Sequence, residues 1–386
     1  MIGTVEPKLI FCSEKYIAKL NDAVSRLDTK FSILYPNNSN PLLDFNTWKQ
    51  SNSSEFRQPA IMSDEHILAI LFTSGTTGVP KGIKVRDVAI KRMASRLSYD
   101  IQENKLLSIS PMFWISYSFL TTMATLKGKT MILTEQTPAP VTILEIITKY
   151  KPDFFLAGCG VWFDLCNLPE ISNYDISSLK CVYTAGSYMS GDMKRKVNKQ
   201  LFGNKLYLKM LYGSTEAGPV TYWPDKIKPT DPEYESVGKL QDGIALKIVD
   251  PIKGTSLGPG VEGEICVKSD MQMGGIVKKK FENIEEIDSE GWLHTGDIGY
   301  YDEKKFLYFV SRLKDVMKYR GYQIAPTELE NVLIKHPDVI ECCVIGKSHP
   351  GDGEWPAAYV VKKIGSTVSE LELCSFVAGG NLSFYN

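Results

Sequence analysis

The 386-residue sequence carries almost no net charge: 44 lysines and arginines stand against 45 aspartates and glutamates. A formal charge of -1 gives no bulk electrostatic draw toward nucleic acid or an anionic membrane surface. Histidine is scarce, with residues only at 66, 294, 336 and 349, and this wide spacing argues against a histidine-built metal site. The eight cysteines are scattered, and no pair has zinc-ribbon spacing. Most fall in apolar runs, as Cys181 does beside Val182, and read as small buried hydrophobes of a reducing, intracellular compartment. No apolar run reaches membrane-spanning length. The N-terminus shows no basic region followed by an apolar run, as a secretion signal needs. The last residues, Leu382 to Asn386, are not a peroxisomal address of the Ser-Lys-Leu type.

Long, regularly punctuated apolar runs are present instead, and a chain of this length is expected to form two or three domains with a large core. Runs at 8–12 and 31–35 read as strands on either side of a helix over roughly 14–27, capped by Ser13. Such a strand-helix-strand unit is typical of a parallel α/β sheet. Further strands are expected over 67–72 (buried), 106–109, 154–157, 179–184 and 206–211, with helices over 142–150 and from a cap at Asp87 through Met93 and Leu97. Repeated strand-to-turn steps place functional loops along one sheet edge. From 237 to 310, short apolar runs separated by glycine turns indicate a β-rich subdomain. Beyond it, helices over 328–333 and 368–377 alternate with strands over 339–345 and 357–362. The fold class is therefore α/β. A parallel-sheet core over 1–236 carries a β-rich subdomain over 237–310, and a small α+β domain follows over 311–386.

The densest chemical signal follows the 67–72 run: Thr73, Ser74, Gly75, Thr76, Thr77, Gly78, Val79, Pro80, Lys81, Gly82. Glycines let the backbone turn its N–H groups toward an anion, the hydroxyls add donors, and Lys81 adds a mobile positive charge. A flexible surface loop would not explain this grouping directly after a strand. A phosphate-gripping loop does. It is not a Walker loop, because Pro80 replaces the glycine before the lysine and Gly82 the Ser/Thr after it.

Together with Leu71 and Phe72, this string resembles the signature loop of the adenylate-forming enzymes, which include acyl-CoA synthetases, coumarate-CoA ligases and beetle luciferases. Four later stretches continue the resemblance. Tyr212, Gly213, Ser214, Thr215 and Glu216 are similar to the family's second nucleotide motif. The resemblance implies that Tyr212 stacks on adenine, Thr215 meets the α-phosphate and Glu216 holds Mg2+. Taken alone, this string is equally a strand end with a helix cap. Ala185, Gly186 and Ser187 fall where the family lines its adenine and acyl pocket, although small residues after a strand are common. Residues 291–297 imply that Asp297 accepts hydrogen bonds from ribose, the alternative being a turn aspartate beside glycine. In residues 311–322, Arg312 is implied to contact ribose or phosphate, and Lys314 to be the hinge of the C-terminal domain. Lys318, Gly321 and Tyr322 would approach the site, on its coenzyme A side, in a second, thioester-forming orientation. A charged interdomain linker is the alternative for that stretch.

The implied reaction uses ATP, Mg2+, coenzyme A and a small carboxylic acid. The carboxylate attacks the α-phosphorus and expels pyrophosphate, and a thiol then captures the acyl-adenylate. Catalysis is implied to rest on Lys81, Thr215, Glu216 and Lys318. A carboxylate ionised at neutral pH needs no general base, so the site must supply positioning and charge cancellation. The sequence also departs from the family pattern. Ser311 stands where aspartate is more usual, and Trp114, after Phe113, where histidine commonly follows an aromatic. Phe113 and Trp114 would wall the acyl pocket with Ala185, or else pack in the core. No Pro-x-x-x-x-Gly-Lys string follows Gly379 and Gly380, and only the last part of the family's first subdomain precedes the phosphate loop. These two departures make impaired adenylation, or a nucleotide-binding remnant, the alternative to a carboxylate-CoA ligase. A peroxisomal location is implied by the family alone.

Overall fold

The computed structural model describes residues 2–25, 32–36, 38, 40, 44, 46–47, 50, 54, 63–73, 80–134, 138–169, 171–277, 286–319, 322–349 and 353–379. Ser74, Gly75, Thr76, Thr77, Gly78 and Gly321 lie outside them.

The centre is a five-stranded parallel sheet, in the order Thr130–Leu133, Lys105–Ser108, Phe154–Ala157, Cys181–Thr184, Lys209–Met210. Both faces of its middle strands are covered, so Phe154, Phe155, Leu106, Leu107 and Val182 are buried. That double burial is why these strands appear in the sequence as unbroken apolar runs. Each fully buried Leu or Phe contributes roughly 1.5–3 kcal/mol. Because the strands are parallel, the loops after Ala157, Thr184 and Met210 emerge at one edge.

The phosphate-loop region departs from expectation. Ile67–Thr73 pairs antiparallel with a second strand, Lys81–Arg86, and Thr73 stands opposite Lys81. The loop residues therefore connect two paired strands, and the second, Lys81–Arg86, was not among the strands expected. The second strand was legible as Ile83 and Val85 alternating with Lys84 and Arg86; the two apolar side chains are buried. The first strand is not a buried one: Leu68 and Ile70 are exposed. Asp87 opens the Asp87–Asp100 helix as its first residue, while Arg86 holds the cap position without a side-chain bond. Ser13 likewise makes no capping bond to the short helices that follow it. The Leu9–Phe11 and Ser32–Leu34 strands pair in parallel, as expected of the opening unit.

An antiparallel five-stranded sheet follows, in the order Ser256–Leu257, Ile244–Val249, Gly263–Ser269, Leu293–Tyr301, Leu307–Arg312. Its last pair sets Asp297 directly opposite Arg312. Met317–Tyr319, Tyr322–Ile324, Val339–His349 and Gly353–Lys362 form a four-stranded sheet. With the helices Pro326–Leu333 and Glu370–Ala378, it closes a separate small core around Met317, Ile324, Leu329 and Leu373. The Glu370–Ala378 helix begins with a capping box between Ser369 and Glu372. The cysteines are only partly as expected: Cys166, Cys181 and Cys266 are buried, whereas Cys343 and Cys374 are exposed.

Candidate active site

A cavity of about 750 Å³ opens where the parallel sheet, the antiparallel sheet and the small C-terminal core meet. Gly186 and Ser187 line it from the loop after the Cys181–Thr184 strand, and Tyr212 and Gly213 from the loop after Lys209–Met210. Asp297, Arg312 and Lys314 line the side toward the small core, which adds Met317, Glu330 and Cys343. Gly186 adopts φ +89, and the position of its missing side chain faces open space. Four segments widely separated in sequence thus share one chamber.

Within it a carboxylate is clasped from two sides. The Tyr212 hydroxyl donates to Asp297 Oδ2 at 2.8 Å, and Arg312 Nε lies 3.4 Å from Asp297 Oδ1. Burial raises the Asp297 carboxyl above its ordinary value, against the lowering pull of the Tyr212 hydrogen bond and the Arg312 charge. Desolvation, and then the Asp297 charge, push the Tyr212 phenol well above its own ordinary range. The backbone beneath is fixed as well. Thr221, itself buried, accepts the Tyr212 N–H at 2.8 Å and donates to the Val237 carbonyl at 2.6 Å. The Asp297 N–H donates to Thr295 Oγ1 at 3.2 Å. A carboxylate offers about four acceptor positions, and these partners leave room for further donors from the cavity.

The stretch over 212–216 reaches the base of the hairpin formed by Ile67–Thr73 and Lys81–Arg86. Thr73 Oγ1 donates to Glu216 Oε1 at 3.3 Å, across 143 residues of sequence. Among the described residues no lysine or arginine pairs with Glu216, so its carboxylate charge remains available to a cation. Lys81 is engaged by a residue the sequence did not point to: its Nζ lies 2.5 Å from Glu286 Oε1. Gly213 is dictated by space, since a Cβ there would sit 2.4 Å from the Gly218 carbonyl oxygen.

Other expected residues are placed differently. Thr215 lies partly buried beside Glu216. Lys318 is exposed on the Met317–Tyr319 strand and does not line the cavity; its N–H donates to Glu354 Oε2 at 3.0 Å. Tyr322 begins the next strand. Phe113 and Trp114, 62% and 52% exposed, pack edge to face on each other just before the Ile115–Lys127 helix, which rules out core packing. Neither they nor Ala185 line the cavity, although Ala185 packs against the core beneath it. Ser311, where aspartate is more usual, is buried.

Sequence spacing also missed a cluster behind Asp297. Glu264, Cys266 and His294 converge, with His294 Nδ1 2.8 Å from Glu264 Oε2 and 3.5 Å from Cys266 Sγ. Glu264 Oε1 also accepts the Gly296 N–H at 3.2 Å. These contacts brace the Leu293–Tyr301 strand just before Asp297.

Comparison with known proteins gives this arrangement its context. The AMP-binding enzyme family matches residues 1–277, and the AMP-binding enzyme C-terminal domain matches residues 328–383. The chain belongs to the AMP-binding enzyme family. Within that family it falls in the adenylate-forming branch of acyl-CoA synthetases and luciferase-like ligases. It is 31% identical over 381 residues to 4-coumarate:CoA ligase 1 of Petunia hybrida, covering 96% of this chain and 69% of that protein. A 4-coumarate–CoA ligase 1 of Petroselinum crispum is also 31% identical, over 382 residues, covering 97% of this chain and 70% of the relative. The fold superimposes on ATP-bound MatB from Rhodopseudomonas palustris with a TM-score of 0.86, at 21% identity over 99% of this chain and 74% of that one. Use of ATP and coenzyme A goes with membership of this AMP-binding branch. Among the described residues, no helix is long and apolar enough to cross a membrane.

Proposed function

We propose that the chain joins a small carboxylic acid to coenzyme A through an acyl-adenylate, with the nucleotide in the cavity between Tyr212 and Arg312. The observation that carries this reading is the Asp297 carboxylate, held by Tyr212 and Arg312 at the rim of a chamber large enough for a nucleoside. Its remaining lone pairs suit the two ribose hydroxyls. The Tyr212 ring and the open backbone at Gly186 and Ser187 give a flat base an aromatic and a glycine wall.

The phosphates then point toward the hairpin turn. Thr73 and Lys81 stand at its base, with Ser74, Gly75, Thr76, Thr77 and Gly78 between them in sequence. Thr215 donates to the α-phosphate, and Lys81 offsets charge on the triphosphate. Glu216 is a hard oxygen ligand with no paired cation among the described residues, which fits Mg2+. When bound, that ion neutralises phosphate charge during attack. The substrate carboxylate is ionised at neutral pH and attacks the α-phosphorus directly, displacing pyrophosphate. The coenzyme A thiol then attacks the acyl carbon and releases AMP. Lys318, Gly321 and Tyr322 approach the site in that second step, once the small domain turns about Lys314. The exposed Phe113 and Trp114 would meet the acyl group as it enters.

The test is carboxylate-dependent exchange of labelled pyrophosphate into ATP, with Lys81→Ala alongside. Lys81→Ala is expected to lower exchange about a hundredfold, the effect of losing one charge-stabilising group. An unchanged rate would overturn the assignment of the hairpin turn as the phosphate site.

A further inference from the structure

Lys81 does not wait in open solvent for a phosphate. It forms an ion pair with Glu286 in which the side chains are only 13% and 19% exposed. Glu286 is fixed by its own backbone. Its carbonyl accepts the His294 N–H at 2.8 Å, Ile287 bridges to Leu293, and Asp288 N–H closes the turn onto Trp292 O at 2.8 Å. The carboxylate is thus held by the strand that carries Asp297, while the ammonium belongs to the hairpin that carries the phosphate loop. The opposite corner of the same hairpin holds the Thr73–Glu216 contact. Two carboxylates therefore face the base of the loop. Glu216 has no cationic partner among the described residues, and Glu286 is committed to the lysine.

We infer that Glu286 is a positioning residue that holds Lys81 as an internal counter-ion and competes with the nucleotide's triphosphate for it. This rests on the reading above that Lys81 meets the triphosphate. An incoming polyanion must draw the ammonium away from a carboxylate whose backbone is tethered beside the Leu293–Tyr301 strand. The pair thereby keeps Lys81 extended across the gap when the site is empty, at the cost of weaker ATP binding. The carboxylate also marks off nucleotide chemistry: it affects ligands that bring phosphate to Lys81 and is indifferent to those that bring only a nucleoside.

Calorimetric titration of the full chain with ATP and with adenosine, in the presence of Mg2+, tests this. Glu286→Gln keeps the shape and removes the charge. It is expected to tighten ATP binding about tenfold, the lower end for close, partly desolvated charge pairs, and to leave adenosine binding unchanged. Glu286→Asp, which keeps the charge, should stay near the parent. In the Lys81→Ala background, Glu286→Gln should no longer tighten ATP binding. General damage to the fold would weaken both ligands together, and a melting curve on each protein, with Glu286→Ala as a second variant, separates that outcome. Unchanged or weakened ATP binding by correctly folded Glu286→Gln and Glu286→Ala overturns the inference and leaves the phosphate reading standing. If Lys81→Ala itself binds ATP like the parent, the phosphate reading fails first and the inference falls with it.

Discussion

Replacing Asp297 by asparagine probes the nucleotide site with almost no change of shape. The substitution converts the Tyr212 bond at 2.8 Å from a charge-assisted to a neutral one and removes the partner of Arg312 at 3.4 Å. Hydrogen bonds to a charged group are worth roughly 1.5–3 kcal/mol each, so two ribose hydroxyls on one carboxylate set an upper bound of about 6 kcal/mol. The carboxylate already accepts from Tyr212 and lies beside Arg312, and water solvates free ribose, so about 2 kcal/mol is the expected net loss. That is about thirtyfold in Kd. The informative assay is a cycle of two proteins against two ligands, ATP and 2′,3′-dideoxy-ATP, followed by calorimetry. The parent should lose about thirtyfold when the hydroxyls are removed, whereas Asp297→Asn should discriminate little between the two ligands. If dideoxy-ATP binds the parent as tightly as ATP, Asp297 does not hold the sugar and the proposed orientation of the nucleotide is wrong. If both proteins lose equally, the hydroxyls are held by another group.

Two further outcomes follow from the same site. Burial raises the Asp297 carboxyl, so ATP affinity should fall on acidification at a pH above that of an ordinary carboxylate near 3.9. The sign for stability is opposite: a folded-state value above the unfolded one means the folded protein takes up the proton more readily, so this group does not drive acid unfolding. A pH series of ATP affinity for the parent and Asp297→Asn checks it, since only the parent should show the acidic loss from this group. Gly213→Ala would force a Cβ to 2.4 Å from Gly218 O and 2.9 Å from Pro219 Cα, both backbone atoms that cannot rotate away. It should lower the melting temperature and abolish ATP binding together, and a melt within a degree of the parent with normal affinity would contradict that packing.

Four of the five strands of the central sheet were legible in the sequence, because burial leaves runs such as Phe154, Phe155, Leu156, Ala157 unbroken, whereas the edge strand Thr130–Leu133, with Thr130 and Leu133 exposed, was not among those expected. The stretches proposed to meet the nucleotide stand out for a related reason: a backbone-and-hydroxyl phosphate site would demand glycine, serine and threonine in close succession, and that is a local pattern. The Lys81–Arg86 strand carries an equally local pattern, Ile83 and Val85 buried and alternating with half-buried Lys84 and Arg86, but it is short and directly follows the glycine-rich stretch. Tertiary structure alone decided what each motif touches. Nothing in the order of residues shows that the Tyr212 hydroxyl ends on Asp297, 85 residues away, or that Lys81 meets Glu286 across 205 residues. Nor does it show that Cys343, in an apolar strand, faces the cavity rather than the core. Local pattern reports which groups a segment offers, because helices, strands and turns are governed by neighbours a few residues away. Partnership between charges is set by how sheets pack against one another, and packing depends on the whole chain at once.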